Sequence, residues 1–257
     1  MRKQSGNQFA AIIPARYAST RFPGKPLVML GGKTMIQRVY EQASKSTDLV
    51  YVATDDGRIL DAVGKFGGKA VLTSIEHFSG TDRCAEAVGI IMKETGQRVD
   101  IVLNIQGDEP FIRPEQINLL KSCFDDGSVQ IATLIRKTGP GEDIFNPNHV
   151  KVIIDSEGNA IYFSRAAIPY CRGVEPGEWS DKHLFFKHLG LYAYKTEILK
   201  KITAMPRTSL EIAESLEQNR WLENGLKIRT AITDRESISI DTPGDLERAL
   251  SHLDDFV

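Results

Sequence analysis

Cysteine is scarce in this chain and never clustered. Cys84, Cys123 and Cys171 are odd in number, scattered and nowhere form C-x-x-C. That pattern argues against a cysteine-based metal site and for free thiols in a reduced, intracellular protein. Long apolar runs are missing too. No stretch approaches the roughly 20 residues that span a bilayer. FAAII, after the basic start MRKQSGNQ, is shorter than the about 7–15 residues of a signal-peptide core. Nor is there an excess of one charge: 32 Lys and Arg face 34 Asp and Glu, for a net charge of −2. Bulk electrostatics therefore offer nothing to a nucleic acid, and the expectation is a cytoplasmic protein with neither a nucleic-acid nor a membrane partner. Internal repeats and low-complexity linkers are absent. So are two phosphate-loop motifs: Pro26 after Gly24-Lys25 breaks G-x-x-x-x-G-K-[ST], and G-x-G-x-x-G does not occur.

What is present is an alternation. The chain has 257 residues, 41% of them hydrophobic, enough for a substantial core. FAAIIP, LVYVAT (49–54), KAVLT (69–73), DIVLNIQ (100–106) and VQIATLI (129–135) read as buried strands. Helical patterns lie between them. Thr34 and Gln37 suggest a capping box, residues 56–66 stop at Gly67-Gly68, residues 82–95 stop at Gly96, and Pro114 opens another helix. This rhythm predicts an α/β fold with a mostly parallel sheet and right-handed crossovers. After residue 140 the rhythm changes. KVIID-SEGN-AIYFSR predicts a β-hairpin, 166–187 a polar loop, HLGLYAYK a strand, 209–224 one long helix ending at Gly225, LKIRTAI and SISI strands, and Thr242-Pro243 the cap of a last helix. The expectation is a single domain over 1–257, with 140–200 inserted into it. The hairpin would leave an edge and an apolar face with Ile161 and Phe163 or their neighbours to be covered, which predicts a dimer contact.

The stretch PARYASTRFPGK follows the first strand and carries Arg16, Arg21 and Lys25. Loops at the carboxyl ends of parallel strands are where α/β proteins bind ligands. Three cations on one loop repel one another unless a polyanion lies among them, and guanidinium forks suit phosphate oxygens. A triphosphate is the natural occupant; a solvated loop with scattered charges is the ordinary alternative. QGDEP (106–110) sets Asp108 at another strand end, in a tight turn suited to a Mg²⁺ ligand, with Glu109 structural; a solvated turn is the alternative. Asp241 follows SISI in the same way, unless it serves the dipole of the last helix. Two strand-end aspartates beside a cationic loop are the parts of metal-assisted phosphoryl or nucleotidyl transfer. In HFSGTDR, Ser79, Gly80, Thr81 and Arg83 could hold a base or sugar edge, or Thr81 could simply cap a helix. Thr54 and Asp55 stand at a further strand end.

Taken in order, IIPARYASTR, PGKPL, VATDD, SGTDR, NIQGDEP, FNPNHVK, YFSRAAIPY, HLGLYAY and IDTPGDLE resemble the 3-deoxy-manno-octulosonate cytidylyltransferases, from about residue 9 to residue 250. FNPN, YFSR and HLGLY point to this family among the sugar nucleotidyltransferases. The resemblance implies a Rossmann-like nucleotidyltransferase fold, a homodimer, Mg²⁺, and transfer of CMP from CTP to 3-deoxy-D-manno-octulosonate (Kdo) for lipopolysaccharide biosynthesis. It implies that Arg16, Ser19, Thr20, Arg21 and Lys25 hold the triphosphate side and that Thr54, Asp55, Ser79, Gly80, Thr81 and Arg83 hold the nucleotide. Asp108 and Asp241 would hold the metal. Lys25, Arg16, Arg21 and the two aspartates would be catalytic, and Gln106, Arg165, His188, Tyr192 and Glu217 would face the sugar acid. Unaided, Arg165 reads as a surface ion pair and His188 as an ordinary half-buried histidine. Glu217 interrupts an apolar stripe, with Arg220 as its nearest partner. The same-class rival is a cytidylyltransferase for another sugar acid; the different-class rival is a nucleotide-binding regulator without catalysis.

Overall fold

A computed structural model describes residues 6–18, 22–139, 141–236 and 239–251. Among them, strands run β1 (Phe9–Ala15), β2 (Met29–Leu30), β3 (Lys33–Thr34), β4 (Val50–Thr54), β5 (Ala70–Leu72), β6 (Ile101–Asn104), β7 (Ile131–Lys137), β8 (Lys151–Ile154), β9 (Ala160–Ser164), β10 (Phe186–Lys195) and β11 (Ile228–Ile232). Helices are α1 (Met35–Ser44), α2 (Gly57–Lys65), α3 (Gly80–Thr95), α4 (Pro114–Ser122), α5 (Trp179–Lys182), α6 (Thr196–Thr203), α7 (Ser209–Glu214), α8 (Glu217–Glu223) and α9 (Pro243–Ser251). The chain divides into two compact units. The first holds the described residues of Met1–Asn118, Ala193–Thr203 and Ser237–Val257; the second holds those of Leu119–Tyr192 and Ala204–Glu236.

In the first unit the strand order is β6–β1–β4–β5. β1 pairs parallel with β6 (Phe9↔Ile101) and β4 (Ala11↔Val50), and β4 pairs parallel with β5 (Val52↔Ala70). Every residue of β4 and β6 is buried, as expected of strands with helices on both faces. The helix starts follow their caps. Thr34 Oγ1 accepts from Gln37 N at 3.3 Å, and Asp56 caps α2. Ser79 caps α3 in a full capping box with Asp82, so the cap is Ser79 and not Thr81. An apolar cluster of Leu30, Met35, Phe111, Ile240 and Ala249 binds the C-terminal segment to this unit.

In the second unit β11 pairs parallel with β7 (Ile228↔Ile131), while β8 pairs antiparallel with β9 and with β10. The predicted hairpin is therefore present. The predicted long helix over 209–224 is two helices. Ser215, at φ +52°, ends α7 in the left-handed region, and α8 begins two residues later. Ile161 is exposed, but Phe163 is fully buried and takes no part in an exposed apolar face. The polar 166–187 stretch contains α5, whose Trp179 is buried with Ile144 and Phe185. Ser239 and Ile240 form no strand; Ser237 and Ile238 lie outside the described residues.

Candidate active site

A cleft of about 440 Å³ opens in the first unit where β1 and β6 end. Gly107 fits there because it has no side chain: a Cβ would stand 2.9 Å from the Pro14 carbonyl. The QGD turn can thus press against the end of β1. Gly24, at φ +72°, starts a single 3₁₀ turn over Lys25–Leu27 and turns Lys25 toward the cleft. Asp108 and Asp241 arrive from opposite ends of the sequence, joined by a hydrogen bond from Ile240 N to Asp108 O at 2.9 Å.

The two carboxylates meet at Lys25. Its Nζ donates to Asp108 Oδ2 at 2.6 Å and to Asp241 Oδ1 at 3.1 Å. Burial works against this ammonium, but the charge and hydrogen bonds of Asp108, then Asp241, hold it above the usual lysine range. The alternative role for Asp241 falls to its neighbours: Asp245 accepts from the backbone of Asp241 and Thr242, and Thr242 Oγ1 from Asp245 N. The donor set at this point is two carboxylates converging within hydrogen-bond reach of one cation. All-oxygen donors of this kind fit Mg²⁺, which takes one or two carboxylates and completes its shell with substrate phosphates and water.

Of the residues expected at the nucleotide, Arg16 is exposed and donates from Nη1 to the His77 carbonyl at 3.4 Å. Gly80 and Arg83 line the same cleft. Arg83 is buried and divides its guanidinium between Thr73 Oγ1 at 2.6 Å and Asp55 Oδ2 at 2.7 Å. Asp55 is thus a partner of Arg83 within the protein. Thr54 is fully buried, and its Oγ1 accepts from Asp56 N at 3.2 Å; Thr81 is buried in the first turn of α3. Ser19, Thr20 and Arg21 lie outside the described residues.

Of the sugar-acid candidates, Gln106 lines the cleft of the first unit. The other four belong to the second unit. The rings of His188 and Tyr192 pack at 5.2 Å between centroids, tilted by 48°, on one face of β10, as period two predicts, and Tyr192 meets Trp221 edge to face at 5.3 Å. Burial pushes His188 down to about 3, so its ring is neutral at pH 7. Thr133 Oγ1 is 3.0 Å from His188 Nε2 and 2.8 Å from the Leu191 carbonyl. Burial, then the charge of Glu217, raises the Tyr192 phenol well above its ordinary value. Glu217 accepts from Arg220 Nη2 at 2.7 Å, the partner expected from spacing.

Arg165 is engaged by backbone. Its Nε donates to Glu214 O at 2.7 Å, Nη1 to Pro147 O at 3.0 Å and Nη2 to Ser215 O at 3.4 Å. A guanidinium has five N–H groups, and three of Arg165's are engaged by described residues.

A family profile described as Cytidylyltransferase matches residues 10–228. The chain is 56% identical over 250 residues to a 3-deoxy-manno-octulosonate cytidylyltransferase of Parabacteroides distasonis, covering 96% of this chain and 98% of the relative. It is 58% identical over 249 residues to that of Bacteroides thetaiotaomicron, with the same coverage. This chain belongs to the 3-deoxy-manno-octulosonate cytidylyltransferase family. A solved structure of CMP:2-keto-3-deoxy-manno-octonic acid synthetase complexed with CTP matches it with a TM-score of 0.88 at 40% identity, over 98% of this chain and 100% of that one. The fold alone is shared more widely: 4-diphosphocytidyl-2C-methyl-D-erythritol synthase from Anaerococcus prevotii matches with a TM-score of 0.61 at 15% identity, over 97% and 99% of the chains.

For this family member, sequence reasoning missed the residues that hold the candidates in place. Glu214 accepts from Ser164 Oγ at 2.6 Å, Arg165 N at 2.9 Å and Tyr162 Oη at 3.2 Å. Asn219, fully buried, donates to Phe163 O at 2.9 Å and accepts from Phe163 N at 3.3 Å, standing in for a strand neighbour of β9. His77 pairs with Glu86, which also accepts from Ser74 N at 2.8 Å. The only signal for Glu214 was an acidic residue just before an unannounced helix break.

Proposed function

We propose that this chain transfers CMP from CTP to the anomeric hydroxyl of Kdo, releases pyrophosphate and requires Mg²⁺. The observation that carries the reading is the convergence of Lys25, Asp108 and Asp241 at the strand-end cleft, in a chain so similar to relatives of that name over nearly their full length. Asp108 and Asp241 would hold the metal, which when bound neutralises phosphate oxygens and lowers the pKa of a coordinated hydroxyl. Lys25 stays charged and shares the triphosphate charge with Arg16 and Arg21. Ser19, Thr20, Thr54, Asp55, Ser79, Gly80, Thr81 and Arg83 form or brace the nucleotide side. The sugar hydroxyl attacks the α-phosphorus in line and gives up its proton to water, the P–O bond to the β-phosphate breaks, and pyrophosphate leaves with that electron pair. Positioning and charge stabilisation suffice for such a transfer.

Gln106, Arg165, His188, Tyr192 and Glu217 would receive the sugar acid. The neutral His188 serves as a hydrogen-bonding and stacking surface, which leaves Arg165 as the cation for the carboxylate. Residues 140–200 would serve sugar binding and a homodimer contact within a single functional domain, with exposed Ile161 on its hairpin. Among the described residues no helix is long and apolar enough to cross a membrane. The reading places the protein in the cytoplasm, as a supplier of CMP-Kdo for lipopolysaccharide.

The test is pyrophosphate release with CTP, UTP and ATP against Kdo, its amino variant and a sialic acid, with and without Mg²⁺. CTP with Kdo and Mg²⁺ should be the best combination. Binding of CTP without turnover of any acid would favour the regulator. Sedimentation at micromolar concentration tests the dimer.

A further inference from the structure

Among the described residues Lys151 is the only buried lysine. Its ammonium has three N–H groups, and each finds a backbone carbonyl: Asn146 O at 2.9 Å, His149 O at 2.5 Å and Arg165 O at 2.6 Å. No carboxylate of the described residues lies within ion-pair distance. Asp143 and Glu214 favour its charge from farther off, Arg165 opposes it, and burial leaves its pKa lowered. Burying a cation among neutral dipoles is costly, and an apolar side chain of similar volume would pack more cheaply. What the charge achieves is convergence of two separate segments, the 146–149 loop and the end of β9. Arg165 reaches back to the same loop at Pro147 O, 3.0 Å away. The next residue of the loop, Val150, accepts through its carbonyl from His188 N at 2.8 Å.

We propose that Lys151 is a positioning residue for the sugar-acid half of the reaction: its carbonyl-caged ammonium fixes the 146–150 loop against the end of β9 and so sets where Arg165 and His188 stand. The inference rests on the acceptor assignment made above. Lys151 touches no substrate in this account. Its charge orders the backbone that presents the two residues which do. The cage is also the kind of site that a small free cation fills, because three carbonyl oxygens already face one point.

The experiment uses full-length Lys151→Met, which keeps the bulk of the stem without the charge, and Lys151→Ala, which opens the cage. Each is assayed for the Michaelis constants of Kdo and of CTP at a temperature below its unfolding transition. The expected result is a rise of about tenfold or more in the Kdo constant, the size of one lost charge-assisted contact, with the CTP constant within about twofold of wild type. Ammonium chloride should lower the Kdo constant of Lys151→Ala, and tetramethylammonium chloride at equal ionic strength should not. A wild-type Kdo constant in Lys151→Met, equal rises for both substrates, or no ammonium effect would each overturn the proposal. So would failure of both variants to fold, which would make Lys151 a folding residue only. Should wild type release no pyrophosphate with Kdo, the acceptor assignment itself fails, and that outcome is read before any variant.

Discussion

Nζ of Lys25 lies 2.6 Å from Oδ2 of Asp108, although 83 residues separate them in sequence. The contact ties the cationic loop to the QGD turn. It also fixes how each partner behaves when the other is changed. Asp108→Asn keeps the volume and removes the charge, as does Asp241→Asn on the other side of the same nitrogen. Each should lower turnover by about 10²-fold or more, the scale of losing one preorganised electrostatic partner. Melting temperature should move little, because the two carboxylates are 27% and 35% exposed. Steady-state pyrophosphate release and calorimetry check this. Wild-type turnover in either variant would remove that residue from the site.

Arg83 and Asp55 should behave differently, because their pair is buried, with side chains 1% and 11% exposed. Arg83→Leu strands the Asp55 charge and should cost about 3–5 kcal/mol of folding free energy. Changing both residues to leucine should recover much of that loss, since no lone charge remains. Urea denaturation of the two proteins decides. A double variant as unstable as the single one would show that the ion pair is not the source of the cost.

His188 sets a pH dependence with a definite sign. Its folded pKa is about 3, against 6.5 for an ordinary histidine. Between those values the unfolded chain takes up a proton that the folded protein refuses. Its contribution to stability therefore falls as pH drops through that window and is fully present above it. Comparing wild type with His188→Asn cancels most other titrations. The stability advantage of wild type should shrink from about pH 7 to about pH 4, read from denaturant midpoints. A difference that stays constant would mean that the ring titrates in the folded protein as it does in the unfolded chain.

Much of the first unit was legible because its signals are local. Apolar β-branched runs, Gly96 and the Gly107 turn announce strands and stops from a few residues each. Asp108 was legible for the same reason. Its bond to Lys25 was not, and the Asp241 contact spans 216 residues; no local pattern encodes either. The break at Ser215 escaped because serine carries no Cβ-free signal for the left-handed region, unlike the glycines. By period two Ile161 and Phe163 should share a strand face, yet one is 55% exposed and the other 0%, because the β8–β9 register shifts there: Ile153 pairs with Tyr162 and Ile154 with Ala160, which makes Ile161 the extra residue of a bulge. Lys151 escaped on general grounds: lysine is almost never fully buried, so its type argues for a surface.

Arg165 carries the prediction in which brace and ligand must be told apart. Its guanidinium holds the carbonyls of Pro147, Glu214 and Ser215, so it braces the loop, the α7 end and the residue at the helix break. The acceptor has a carboxylate beside its reacting carbon, and the cleft cations are engaged with carboxylates or assigned to phosphates. The guanidinium N–H groups outside those three bonds would meet it. Arg165→Ala removes both functions. Folding free energy should drop by about 1–3 kcal/mol, and the Michaelis constant for Kdo should rise about 10- to 100-fold, while that for CTP stays within about twofold. Arg165→Lys separates the two, since an ammonium offers three N–H groups from one point and cannot span the carbonyls and a carboxylate together. It should recover more of the stability than of the Kdo constant. If Arg165 is a brace alone, the Ala protein, assayed well below its melting temperature, will keep the wild-type Kdo constant and show its defect only in unfolding.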